Sequence, residues 1–221
     1  MVWRPAPSRG LIAGLGLAAV MLALEAACLV FLRRSWPGPR AAVALAFAIA
    51  LLGPTLLVAY WVWGRINLRY DLGRDALTIY WAGHRHVVPM DSITHILNGR
   101  PYVAPLAGFH WPGHEVGHTR IVVADDDAEP RDALVFATVP PAGQIVIVTP
   151  GVAYAISPAD RAAFVDEFKM RRRLGSVQTL EQRTIPVPWL GLALWRDRIA
   201  LAFLGLGLVV NVLAFAWLTW Q

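Results

Sequence analysis

Three stretches of this chain, residues 10–32, 41–63 and 199–220, together carry a single charged side chain, Glu25. At about 1.5 Å per helical residue such runs reach about 34 Å, enough to cross a hydrocarbon core of roughly 30 Å. They predict three transmembrane helices. Although 57% of the chain is apolar and 16% charged, the charges concentrate outside these runs at a density near the globular norm of about 25%. That unevenness excludes an ordinary soluble protein and predicts a membrane protein carrying one soluble domain. Tryptophans mark the run ends: Trp36, Trp61, Trp63, Trp195, Trp217 and Trp220, with Trp3 and Trp189 nearby. Indole rings favour the headgroup level, so the first six are expected membrane-interface anchors, joined by Arg196 and Arg198 before the third run.

The first run continues through Leu29-Val30-Phe31-Leu32 beyond Ala26-Ala27-Cys28, where a signal peptide would be cut, so it reads as a retained anchor. Cys28 is the single cysteine, which excludes an internal disulfide framework and a multi-cysteine metal cluster. The net charge is +5, almost all of it from arginine, and the arginines gather at segment ends rather than in a stripe that could follow a nucleic-acid backbone. No nucleic-acid partner is expected. Arg4 and Arg9, then Arg65, Arg69 and Arg74, then Arg171–Arg173, Arg183, Arg196 and Arg198 share one side if the N-terminus and central domain are cytoplasmic and the C-terminus lies outside. The loop with Arg33, Arg34 and Arg40 then falls outside.

From Gly64 to about Gly175 the apolar period changes to two. Ile66, Leu68 and Tyr70 alternate with polar residues, Leu72-Gly73-Arg74-Asp75 reads as a turn, and Leu77, Ile79 and Trp81 complete a hairpin. Further strands are expected at 84–89, 94–98, 119–124, 132–138, 144–149 and 152–156. Ser157 as N-cap, Pro158 at the first helical position and Asp160 open a helix with Phe164, Val165 and Phe168 on its apolar face and Arg171–Arg173 at its end. The expected fold is α+β: three transmembrane helices plus a small barrel of about seven antiparallel strands capped by a C-terminal helix. Its expected parts are a two-helix hairpin over 1–63, the β-domain over 64–175, a connector over 176–198 and a last helix over 199–221.

Tyr70-Asp71-Leu72 leading into Ala76-Leu77-Thr78-Ile79, then Val88-Pro89-Met90-Asp91-Ser92-Ile93, resembles the opening of bacterial pleckstrin-homology-like (PH-like) domains. Gly108-Phe109-His110-Trp111-Pro112-Gly113, Phe136-Ala137-Thr138 and Ala155-Ile156-Ser157-Pro158 with Phe164 resemble later blocks of membrane-anchored members. The resemblance implies a PH-like barrel on a membrane anchor, mostly without assigned activity, and in some cases self-association. Lipid-binding PH domains carry several basic residues around the first hairpin loop. Here that turn offers Arg74 alone, so headgroup recognition there is not implied.

Two signals could carry chemistry. His114-Glu115-Val116-Gly117-His118 matches H-E-x-x-H, in which two histidines on one helical face hold zinc and the glutamate activates water. Pro112, Gly113, Gly117 and the run Ile121-Val122-Val123 point instead to a loop entering a strand. The evenly spaced His110, His114 and His118 leave a metal-binding alternative. Glu25, deep in the first run, must face protein or water, because an acidic residue at a helix centre costs about 2.5–3.5 kcal/mol in lipid. Asn211 lies at a similar depth and Thr55 beside Gly53-Pro54, and both are expected polar contacts for Glu25. Asp125-Asp126-Asp127 reads as a hairpin tip. The resulting expectation is a multi-pass cell-membrane protein without cofactor or catalysis. Its partners would be the lipid bilayer, a membrane or cytoplasmic protein, and copies of itself. A zinc metallopeptidase on residues 114–118 and a transport component built on Glu25 are the alternatives.

Overall fold

The computed structural model describes residues 1–99, 104–107, 110–111, 113–122 and 130–185. The third apolar run, with Trp195, Arg196, Arg198, Asn211, Trp217 and Trp220, and the Asp125–Asp127 tip lie outside the described residues. The first two runs are helices: α1 spans Gly10–Ser35 and α2 spans Pro39–Asn67, both long and apolar enough to cross a membrane. Leu15, Leu17, Val20, Leu22 and Leu24 of α1, and Phe47, Leu52, Leu56 and Leu57 of α2, are exposed on the protein. Large apolar side chains left exposed along a long apolar helix are suited to lipid. Pro54, inside α2, has no N–H for the helical ladder, and the neighbouring Thr55 Oγ donates to the Leu51 carbonyl at 2.9 Å.

Met1–Ala13 and Trp63–Ile185 make one compact unit, so the β-domain extends beyond the expected limits of 64 and 175 at both ends. Its strands are β1 Val2–Trp3, β2 Arg69–Leu72, β3 Ala76–Trp81, β4 His84–Pro89, β5 His95–Asn98 and β6 His110–Trp111. They continue as β7 His114–Ile121, β8 Arg131–Ala137, β9 Ile145–Val148 and β10 Ala153–Ile156. Helix α3, Arg161–Leu174, and β11, Arg183–Ile185, complete the set. Among the described residues these form two sheets, ordered β1-β2-β3-β4-β11 and β5-β9-β10-β8-β7-β6. The turn at Ala82-Gly83 has positive φ at both residues, 46° and 79°, the mirror-image geometry that matches strand twist in two-residue hairpins.

Two open sheets replace the expected single barrel of about seven antiparallel strands. β10 enters between β9 and β8 and runs parallel to β8, with Ala153 opposite Ala133. The Pro150-Gly151 connection folds β10 back along one edge of β9, and β8 supplies its second edge. β9 and β10 are buried at every position, which is why they read as unbroken apolar runs rather than as alternation. One core lies where Tyr70, Leu77 and Ile79 of the first sheet meet Phe136, Ile147 and Ile156 of the second, closed by Phe164 and Phe168 of α3. The other face of the second sheet carries Ile121, Val135, Val146 and Val148, with Leu97 and Leu106 packed against them.

Two local expectations change. Ile66 belongs to α2 and not to the first strand. Trp3 lies on β1, its ring edge-on to Phe164 at 5.5 Å. Ser157 is buried and does not cap α3; Asp160 does, accepting from the Ala163 N–H at 2.9 Å. The Ser157 hydroxyl instead accepts from the Thr138 N–H at 2.8 Å, and its own N–H donates to the Tyr70 hydroxyl at 3.2 Å. The Tyr70 hydroxyl donates in turn to the Phe136 carbonyl at 2.7 Å. Ala6 joins this knot, its N–H on the Ser157 carbonyl and its carbonyl on the Thr138 hydroxyl, both at 2.7 Å. Burial pushes the Tyr70 phenol up to about 12, so it stays a protonated donor through the neutral range. Tyr70→Phe leaves two buried backbone groups without their partner and should cost about 1–3 kcal/mol. A urea midpoint equal to that of the parent chain would refute this.

Candidate functional site

The turn between β2 and β3 carries Arg74, the one basic residue the sequence offers there. This turn receives the end of α3. Arg74 donates through Nε to the Gly175 carbonyl at 3.0 Å and through Nη2 to the Leu174 carbonyl at 3.1 Å. Asp75 accepts from the Val177 and Gln178 N–H groups, and Asp91 from the Ser176 hydroxyl. A helix C-terminus leaves carbonyls unmatched and carries a partial negative charge. Arg74 answers both needs and is committed to the fold.

The H-E-x-x-H segment is β7. In an extended strand His114 and His118 stand about 13 Å apart, four residues at roughly 3.3 Å each, whereas a helical turn would bring them within reach of one metal ion. His114 is buried against Trp111, ring centroids 4.3 Å apart, while His118 is exposed. Glu115 is held by Gln144, whose Nε2 donates to Oε2 at 3.0 Å. His110 pairs across the ladder with Glu115. Among the described residues no group of three or more His, Cys, Asp or Glu converges as a metal site. The residues of the zinc alternative are therefore neighbours in a β-ladder, without the helical geometry that the chemistry requires.

Glu25 lies in α1, and its Oε1 is buried without a hydrogen-bond partner among the described residues. Asn211 lies outside those residues, and the Thr55 hydroxyl is turned to Leu51. Of the tryptophans expected at the interface, Trp36 follows the end of α1 and Trp61 and Trp63 fall in the last two turns of α2, Trp36 and Trp63 being exposed.

One grouping escaped the sequence reading. Arg4, Arg65 and Arg69, taken there as topology markers, line a single cleft of about 530 Å³ with Asn67, Leu11 and Ile66. Strand β1 makes it: Val2 and Trp3 pair with Asp71 and Tyr70 of β2, which places Arg4 beside the end of α2. The chain beyond is pinned where the Ser8 hydroxyl donates to the Gly113 carbonyl and the Trp111 indole to the Gly10 carbonyl, both at 2.8 Å. Glycine is needed on both sides of that contact, since a Cβ on Gly10 would stand 2.3 Å from the Gly113 carbonyl oxygen and Gly113 has φ +84°.

Two sheets closed by a C-terminal helix, entered from an apolar helix, define a β-domain of the pleckstrin-homology-like class. Residues 68–172 match the family model for the bacterial PH domain, which supports a bacterial PH-like domain over that part of the chain. No curated protein and no solved structure matches it.

Proposed function

We propose that the protein holds its PH-like domain at the cell membrane as a protein–protein interaction or scaffolding module, without catalysis of its own. The observation that carries this reading is the joint between apolar helices and domain. Only Leu68 separates α2 from β2, and β1, six residues ahead of α1, is itself a strand of the first sheet. So short a connection gives the domain no long tether on which to range through the cytosol. Arginine distribution supports a cytoplasmic N-terminus and domain, and the third apolar run supports a multi-pass chain ending outside. Contact with a protein partner, copies of itself included, is supported by α3. Its outer side carries Met170 and Leu174, 50% and 60% exposed, followed by Val177 at 65%. Large apolar side chains grouped in water at a helix end suit a partner's surface.

Lys169, the one lysine of the chain, stands beside them on α3 and is exposed. Lysine-reactive crosslinking in native membranes, followed by mass spectrometry, should yield protein adducts at Lys169. They should fall at least about fivefold in Met170→Asp/Leu174→Asp, as losing about 1 kcal/mol of interface energy requires. Adduct-free Lys169, or adducts indifferent to both substitutions, would defeat the interaction reading.

A further inference from the structure

The cleft of Arg4, Arg65 and Arg69 has the composition of an anion site, and its position points to the source of the anion. Arg65 is 9% exposed, and its Nε is buried with no hydrogen-bond partner, while Nη2 donates to the Ser8 hydroxyl at 3.2 Å. A buried guanidinium with a donor unmatched is costly unless something accepts from it. Arg4 and Arg69 are exposed at the same opening, and no carboxylate is among the cleft's described lining residues. Arg69 is steadied by the Tyr80 ring, 4.3 Å beneath its guanidinium carbon. Three guanidinium groups line one cleft, and guanidinium is the side-chain group best suited to phosphate oxygens.

The rest of the lining is apolar. Leu11 belongs to the first turn of α1 and Ile66 to the last turn of α2, and Ile66 is 61% exposed. A soluble phosphate has no use for that wall. The acyl part of a lipid does, and these two helix ends are where a bilayer surface meets the chain.

We infer that this cleft binds the phosphate of an anionic phospholipid, with Arg65 as the buried donor, Arg4 and Arg69 as rim partners, and Leu11 and Ile66 against the acyl end. The site is distinct from the turn between β2 and β3, and most of its lining precedes residue 68. The inference rests on the membrane-anchored reading, and the two can fail separately.

The experiment uses the full chain in nanodiscs of phosphatidylcholine, with or without phosphatidylglycerol, and native mass spectrometry of the lipids it retains. Phosphatidylglycerol should be retained in preference to phosphatidylcholine. Arg65→Gln should reduce that preference at least about fivefold, near what one juxtamembrane arginine contributes, and Arg172→Gln, on α3, should leave it intact. If Arg65→Gln does not fold, judged by its circular dichroism, Arg4→Gln/Arg69→Gln on the rim takes its place with the same expected loss. Equal retention of both lipids, or a preference unchanged by both variants, overturns the inference. Stabilisation by inorganic phosphate in neutral detergent, without any lipid preference, assigns the cleft to a soluble anion and also overturns it. Recovery of the chain from cells as a soluble protein without detergent would overturn the anchored reading itself. A membrane-bound chain with no lipid preference leaves that reading standing and removes the lipid site alone.

Discussion

Between pH 6.5 and pH 4 the β-domain should lose stability on the order of 3 kcal/mol for each of two buried histidines, His86 and His114. His86 is 7% exposed; its ring lies 4.7 Å from that of Phe136, and Nδ1 meets the Thr184 hydroxyl at 2.9 Å. His114 is fully buried against Trp111. Burial is the larger cause that holds each imidazole down to about 4, with His84 and His118 adding repulsion at His86 and Arg65 adding it at His114. An unfolded imidazole takes its proton near 6.5, so between 6.5 and 4 the unfolded chain binds more protons than the folded one. The unfolding free energy is therefore unaffected above 6.5 and falls as pH drops through that window. His84, lowered by the same desolvation but less buried, acts in the same direction.

Urea midpoints of the detergent-solubilised chain, followed by tryptophan fluorescence, should decline steadily from about pH 6.5 to about pH 5, a range in which most carboxylates stay ionised. In His86→Asn/His114→Asn the absolute stability will be lower, but the slope should largely disappear. A parent midpoint that stays flat across this range would contradict the burial argument.

Phe164→Ala should cost roughly 3–5 kcal/mol, the range for removing a buried aromatic ring from a core that cannot close around the gap. Phe164 is 0% exposed, in the cluster where both sheets meet α3, and it supports the Trp3 ring on β1. Two readouts should move together. The urea midpoint of the domain should fall, and amide exchange in residues 2–6 should quicken as β1 loses its footing. Met170→Ala on the same helix, half exposed, should stay within about 0.5 kcal/mol of the parent. A Phe164→Ala chain as stable as Met170→Ala would show that α3 does not close this core.

Local pattern carried much of this protein. The β2–β3 hairpin was legible because Tyr70, Leu72, Leu77 and Ile79 alternate around a glycine-containing turn, and that period survives in the fold. The H-E-x-x-H segment was legible as non-helical because Gly113, Gly117 and the β-branched residues after it disfavour a helix, but the expected loop before a strand at 119–124 is itself strand, His114–Ile121. The cap of α3 misled because Ser157 and Asp160 both have N-cap chemistry. The choice fell to Asp160 when the Ser157 hydroxyl and N–H were claimed by Thr138 and Tyr70, from distant parts of the chain. Likewise Arg74 reads in the sequence only as the one basic residue of a short turn, and its partner, the end of α3, comes a hundred positions later.

The sequence by itself determined that α1 and α2 are apolar helices of membrane-crossing length, and that a β-rich domain with an amphipathic closing helix follows. Length and periodicity are local properties that every residue in a segment repeats. Only the tertiary structure decided that Val2 and Trp3 belong to the first sheet, that β10 lies parallel to β8, and that Arg4, Arg65 and Arg69 share a cleft. Each depends on which distant strand a segment pairs with, and two residues of β1 are too few to print a period that would reveal their partner.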